Sequence, residues 1–303
     1  MKGMNNRHAD ILCIGSVLWD VIGRSPVAMH LGADMPGRIS RLPGGVAMNI
    51  AMTLSRFGLT PSLLTAIGQD EEGHELLAAC ADLGILTDHV HRPDDLPTDV
   101  YMAIEGAGGL IAAIADAHSL EQAGDAILTP LEDGTIGSAA QPYEGQIALD
   151  GNLTETLLAD IASRASFAAA DLRIAPASPG KAERLKPLLG HSGATLYVNR
   201  EEAALLTGTD PTSAAEAAEA LLGVGSHRVL VTDGGNGAAE GHAGHVTFAP
   251  APRVTVTRIT GAGDTFMAAH ITAEAHGKPR EAALAFALQS AADYVSEAQT
   301  GSP

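Results

Sequence analysis

The chain has 303 residues, a formal net charge of −18, 46% hydrophobic residues and only 3% aromatic ones. That charge argues against nucleic acid or an anionic membrane as partner, because neither is attracted to an acidic surface. The first ten residues are polar, no apolar run reaches a membrane span, and Cys13 and Cys80 read as buried thiols, so the expected compartment is the cytoplasm.

In chain order, residues 11–15 read as a short buried strand, followed by Asp20. A carboxylate after an early strand suits either a ligand or a simple turn. Residues 37–42 read as a strand, and Gly44-Gly45 leads into an amphipathic helix that ends at Gly58. The glycine pair fits close approach of a ligand or a structural turn, and Asn49 in the first turns can point back to that ligand. A strand at 61–66, a helix at 73–83 and a short strand at 88–91 follow. Segments 98–105 and 110–115 flank a Gly-rich turn and read as a hairpin inserted into the β-α alternation. With 37–42 it can form a small separate sheet, either a lid or a dimer surface.

The alternation resumes with strands at 147–150 and 167–170 around a helix at 154–163, then helical 181–188 and a strand at 196–198. Helices at 200–207 and 213–222 lead to a strand at 229–232. Such alternation implies a mostly parallel sheet covered on both faces. Asn199 to Glu202 opens a helix with two carboxylates, which suits a water-held Mg²⁺ or an ordinary acidic first turn. Thr232 to Gly237 is a Gly-rich loop after a strand, a place for phosphates or only a turn. The pairs His89/His91 and His242/His245 lack a third ligand and read as surface histidines.

The chain is organised around Thr260-Gly261-Ala262-Gly263-Asp264, between a predicted strand at 254–257 and a helix opening at Asp264. Gly261 and Gly263 let backbone N–H groups converge at a helix N-terminus, which favours an anion. Asp264 beside that point can take a proton from an attacking hydroxyl while the N–H groups hold a transferring phosphoryl group. An Asp N-cap after a Gly turn is the plainer reading.

Taken together and in order, these four motifs resemble the PfkB-type carbohydrate kinases, which share the ribokinase fold. The resemblance implies a doubly wound α/β sheet flanked by helices, one kinase domain over 1–303, and a small β-sheet lid from segments at about 24–43 and 91–118. It implies ATP and Mg²⁺ as cofactors, a sugar or nucleoside substrate, and a homodimer through the lid. By position, Asp264 would be the base, and Gly261, Ala262 and Gly263 the anion hole. Glu202 would support Mg²⁺, with Asn199 beside it. Asp20, Gly44, Gly45 and Asn49 would grip the acceptor, and Thr232, Gly234, Gly237 and Gln289 would line the nucleotide.

Shorter segments, among them Thr98 to Tyr101, Asp116, Asp150-Gly151-Asn152 and Lys181, resemble the branch of the family that phosphorylates pseudouridine. They add Thr98, Asp116, Asp150 and Lys181 to the expected acceptor site. Two positions depart from the family pattern. Ala175 replaces an acidic residue of an Asp-Pro-Val-Ser element, and Arg258 replaces one that helps hold an activating K⁺ in several relatives. The resemblance therefore does not extend to a K⁺ requirement. The alternatives are another kinase of the family, acting on ribose, another nucleoside or a keto-sugar, and a non-catalytic binding protein on the same fold.

Overall fold

The computed structural model describes residues 8–30, 32 and 34–296. The expectation for the first ten residues thus falls largely outside the described residues, as do positions 31 and 33 of the first lid segment. Apolar strands come first. β1 (Ile11–Ile14) is buried at every position, and so is β4 (Pro61–Leu64). Strands covered on both faces carry apolar residues continuously, because neither face meets water. With β7 (Gln146–Asp150), β8 (Asp171–Ala175), β9 (Ala194–Asn199) and β10 (Arg228–Thr232) they form a parallel array. β11 (Ala238–His242) and β12 (His245–Ala249) extend it antiparallel, giving the order β12-β11-β10-β9-β8-β7-β1-β4.

Alternate side chains of these strands enter two separate cores. Leu12, Ile14, Ile147, Leu149, Leu172 and Val229 face α4 (Glu155–Ser163), α5 (Arg200–Thr207) and α6 (Ala214–Gly223). Ile11, Cys13, Ala148, Tyr197 and Leu230 face α1 (Val46–Arg56), α2 (Glu71–Asp82), α7 (Ala262–Ala275) and α8 (Arg280–Ser296). The result is three layers, with Cys13 and Cys80 free and buried as expected. Among the described residues no helix is long and apolar enough to cross a membrane.

The order of strands reverses at β1, which has β4 on one side and β7 on the other. Crevices for ligands open at the carboxyl ends of strands at such a reversal. A second sheet stands apart from the first. It contains β2 (Leu18–Arg24), β3 (Arg38–Gly44), β5 (Val100–Gly106) and β6 (Gly109–Asp116), in the order β3-β2-β5-β6. The expected hairpin is therefore present, and β2 joins it by pairing parallel to β5 and antiparallel to β3. β2 starts at Leu18, ahead of the lid segment expected from 24.

Four local expectations are corrected. Residues 254–257 form no strand: Thr257 donates its N–H to the Val295 carbonyl at the end of α8. Residues 165–167 form a 3-10 turn, and the strand lies later, as β8. Residues 88–91 give only a single bridge from His91 to Ala66. Residues 179–188 are a 3-10 segment containing Pro187, which lacks the N–H an α-helix needs there.

Candidate active site

The site is built outward from the end of β1. Gly15 leaves that strand at φ +148°, and a Cβ on it would lie 2.3 Å from the Asp150 Cβ. That contact lets the Asp150 carboxylate accept the Ser16 N–H at 2.8 Å. The same carboxylate accepts the backbone N–H of Asn152 at 2.8 Å and its side-chain amide at 3.1 Å. Burial raises the Asp150 pKa, and these bonds work against the rise. Asn152 in turn accepts from Lys181 Nζ at 2.7 Å. Asp150 and Lys181 are thus brought together through Asn152, with Asp150 wholly buried behind them.

The loop after β1 touches the start of α1. A Cβ on Gly45, at φ +95°, would meet the Ser16 carbonyl at 2.3 Å, so only glycine allows the helix so close. Gly44 permits an equally close approach, since a Cβ there would lie 2.1 Å from Asp20 Oδ2. Burial pushes the Asp20 carboxyl up to about 6. From the first turn of α1, Asn49 donates through Nδ2 to Asp264 Oδ2 at 2.9 Å. Residues 215 positions apart are joined here by one bond.

Asp264 lies in the first turn of α7, which opens at Ala262 after Gly261 at φ +85°. Gly263 is exposed, with nothing within 4 Å of where its Cβ would stand. The first N–H groups of a helix lack intrahelical partners, which favours an anion at this end, although the Ala262 N–H is given to the Ile259 carbonyl at 3.1 Å. Burial pushes Asp264 up to about 7, the Asn49 bond lowers it, and the charges of Asp150 and Glu202 raise it further. A carboxyl poised near neutrality can both take and return a proton at working pH.

Glu202 closes the far side. Its carboxylate accepts the Asn199 N–H at 2.8 Å, while Asn199 Oδ1 accepts the Glu202 N–H at 2.8 Å, a reciprocal capping box on α5. Burial pushes Glu202 up to about 7. The structure shows the plainer reading of this motif, an acidic first turn that caps its helix, and the Glu202 charge also raises the Asp264 pKa. Asn199 and Thr232 are paired residues at the carboxyl ends of β9 and β10. Beyond Thr232, Gly234 has φ +53° with open space around it. Gly237 has φ +128°, and a Cβ there would meet the Ala249 carbonyl at 2.2 Å.

Three expected residues stand differently. Thr98 donates its N–H at 2.7 Å to Asp70, the N-cap of α2, and its hydroxyl bonds the same carboxylate. Asp116 is exposed at the end of β6. Gln289 is exposed on α8 and donates to Asp293 at 2.8 Å. Arg258 and Tyr294 form a contact that motif reading alone does not give. The guanidinium lies 3.6 Å over the Tyr294 ring, its Nε donates to the Tyr294 carbonyl at 2.8 Å, and the Tyr294 hydroxyl donates to the Thr260 carbonyl at 3.0 Å. Only the unusual cation at 258 pointed there.

Comparison with known proteins places this geometry. A family profile described as pfkB family carbohydrate kinase matches residues 8–303. Pseudouridine kinase of Escherichia coli (strain K12) is 28% identical over 282 residues, covering 91% of this chain and 87% of that protein. Guanosine-inosine kinase of Exiguobacterium acetylicum is 26% identical over 302 residues, 96% of each chain. The structure of Arabidopsis thaliana ribokinase complexed with ribose and ATP has a TM-score of 0.76 at 21% identity, over 95% of this chain and 93% of that one, a likeness of fold.

Proposed function

Because the chain belongs to the PfkB family of carbohydrate kinases, we propose that it phosphorylates a nucleoside hydroxymethyl group from ATP, with pseudouridine as acceptor and pseudouridine 5′-phosphate as product. The Asn49–Asp264 bond carries the mechanistic part of this reading, because it fixes a near-neutral carboxyl at a helix N-terminus. Asp264 takes the 5′-hydroxyl proton as the oxygen attacks the γ-phosphorus. A new O–P bond forms, the bond to the β-phosphate oxygen breaks, and ADP leaves. The N–H groups of Gly261 and Gly263 hold the charge that develops on the transferring group, and Ala262, whose N–H goes to the Ile259 carbonyl at 3.1 Å, fixes the turn between them.

Asp20, Gly44, Gly45 and Asn49 bind the acceptor sugar. Lys181, aimed by Asn152 and Asp150, reaches the base, and Asp116 acts from the lid, while Thr98 acts from its place beside Asp70 at the N-cap of α2. Asn199, Thr232, Gly234, Gly237 and Gln289 line the nucleotide. The residues fit Mg²⁺ carried by the phosphates rather than a protein cage, since among the described residues no group of three His, Cys, Asp or Glu could hold a metal. Glu202 would hold it through water, and Mg²⁺ would neutralise charge on the phosphates during transfer. No K⁺ enters the proposal, because a guanidinium stands at 258. The enzyme works as a homodimer joined through the lid.

The pseudouridine assignment is supported by the Escherichia coli relative and by the Asp150–Asn152–Lys181 chain. A purine nucleoside is the second reading, supported by the Exiguobacterium acetylicum relative over 96% of both chains. The test is ADP release with Mg-ATP across pseudouridine, uridine, inosine, guanosine, adenosine, ribose and fructose. Turnover with pseudouridine far above the others is expected. Turnover with inosine or guanosine instead would replace the acceptor, and silence throughout with ATP still bound would turn the reading to a binding protein.

A further inference from the structure

At the amino-terminal ends of β8, β9 and β10, opposite the site just described, lies a cavity of about 480 Å³. Its charged lining is Asp171, Arg173, His227, Arg228, His242 and Arg280. Three of the chain's 18 basic residues thus converge on one space in a protein of net charge −18. The acids that balance them are unevenly placed. Glu240 and Glu274 sit behind the wall and do not line the cavity, which leaves Asp171 as the lining carboxylate.

The two deeper arginines are held rigidly from behind. Arg173, 6% exposed, donates to Asp171 at 2.6 and 2.8 Å, to the Tyr197 hydroxyl at 3.1 Å, and to Glu274. Arg228, 11% exposed, donates to Glu240 at 2.8 Å and to Glu274 at 2.7 and 3.1 Å. Arg280, His227 and His242 form the outer wall, where the Arg280 guanidinium is 47% exposed and comes no nearer than 3.8 Å to Glu240. Burial and then the charges of Arg280 and Arg228 lower the His242 pKa, while Glu240 raises it.

We propose that this cavity is a second, non-catalytic site for a small phosphate-bearing anion, gripped by Arg280, His227 and His242 against a floor of Arg173 and Arg228. Guanidinium groups and imidazole N–H donors suit phosphate oxygens, and the fixed inner pair spares the ordering that flexible cations would require. The volume lies in the range of small-ligand pockets. Glu274, which holds both inner arginines, belongs to α7, the helix that carries Asp264 at its other end. The proposal is independent of the acceptor assignment, since it uses none of the residues of that site.

The test must separate this cavity from the loop at Gly261–Gly263. Calorimetry would titrate inorganic phosphate, pyrophosphate and citrate into wild type, into Gly263→Asp, which sets a carboxylate in that loop, and into Gly263→Asp carrying His227→Ala and Arg280→Ala. Gly263→Asp is expected to keep one saturable pyrophosphate site with a Kd below about 1 mM, weakened at least tenfold in the triple variant. No saturable binding to Gly263→Asp, or equal binding to the triple variant, overturns the site. Citrate binding as tightly as pyrophosphate overturns the phosphate assignment. In wild-type protein, pyrophosphate is expected to shield Arg280 from phenylglyoxal, read by peptide mass spectrometry. Unshielded Arg280 at saturating pyrophosphate would likewise overturn it.

Discussion

Asp264 is held between opposing influences: burial and the charges of Asp150 and Glu202 favour its neutral form, and the Asn49 amide favours its anion. The sign of the pH dependence follows. Below about 7 the carboxyl is protonated and cannot accept the hydroxyl proton, so kcat/KM is expected to fall as pH drops through that value. Glu202, also near 7, interacts with it, so the limb belongs to the pair and is read as one macroscopic profile. A profile flat down to pH 5 would contradict this. For stability the sign is opposite. A carboxyl whose folded pKa is raised favours folding while protonated, and that contribution is lost as pH rises from the ordinary carboxylate range to about 7.

Asp264→Asn is expected to lower kcat by roughly 10²- to 10⁴-fold while nucleotide binding persists, and to melt higher than wild type at pH 8. Near-normal turnover in that variant would remove the base from the mechanism. Much of this residue was legible in the sequence, because glycines before a helix start and a carboxylate just inside it constrain one another locally. Thr98 and Gln289 were not legible in the same way. Their side chains bond Asp70 and Asp293, and neither choice of partner follows from a motif.

Elements whose pairing is decided at a distance were the hardest to read. β2 carries Trp19, Asp20 and Gly23 in a pattern with no simple alternation, and it is a strand because β3 and β5 supply both its edges. β8 hides behind Asp171 and Arg173, charges that enter a strand because they pair with each other and Glu274 reaches Arg173 from α7. Residues 254–257 have the β-branched residues of a strand but do not form one. They run instead to the carboxyl end of α8, where Arg258 donates to the Tyr294 carbonyl and adds charge favourable to that helix terminus. Through the Tyr294 hydroxyl this contact also steadies Thr260, directly before the anion loop. Tyr294→Phe keeps the ring and removes that bond. It is expected to lower kcat about tenfold with acceptor KM within about twofold of wild type, because loss of position at the reacting group acts on the transition state. A matched change in KM alone would mean that the contact serves binding instead.

On the scale of the whole molecule, the alternation of strands with helices announced a mostly parallel sheet covered on both faces, and the structure has one. The small sheet was legible as a hairpin outside the alternation, although not in its strand order. Its outer face is apolar and open: Ile39 is 79% exposed and Ile114 68%, with Met102 and Ile104 between them. A face of this kind is expected to meet its copy in a second molecule. Ile39→Glu with Ile114→Glu should convert a dimer to a monomer in sedimentation velocity at micromolar concentration. A wild-type protein that sediments as a monomer there would end the lid-dimer proposal.

The place of β1 in the sheet has a consequence for synthesis. Its neighbour β4 follows it closely along the chain, but β7 begins only at Gln146, so one edge of β1 stays unpaired while the intervening residues leave the ribosome. An open edge on an uncharged segment such as Ile11–Ile14 is a template for pairing with another chain. The surplus of acidic residues, which says little about the chemistry of the site, is expected to keep neighbouring nascent chains apart during that interval. Asp264 lies beyond β12, so every strand of the sheet is synthesised before the residue proposed as base.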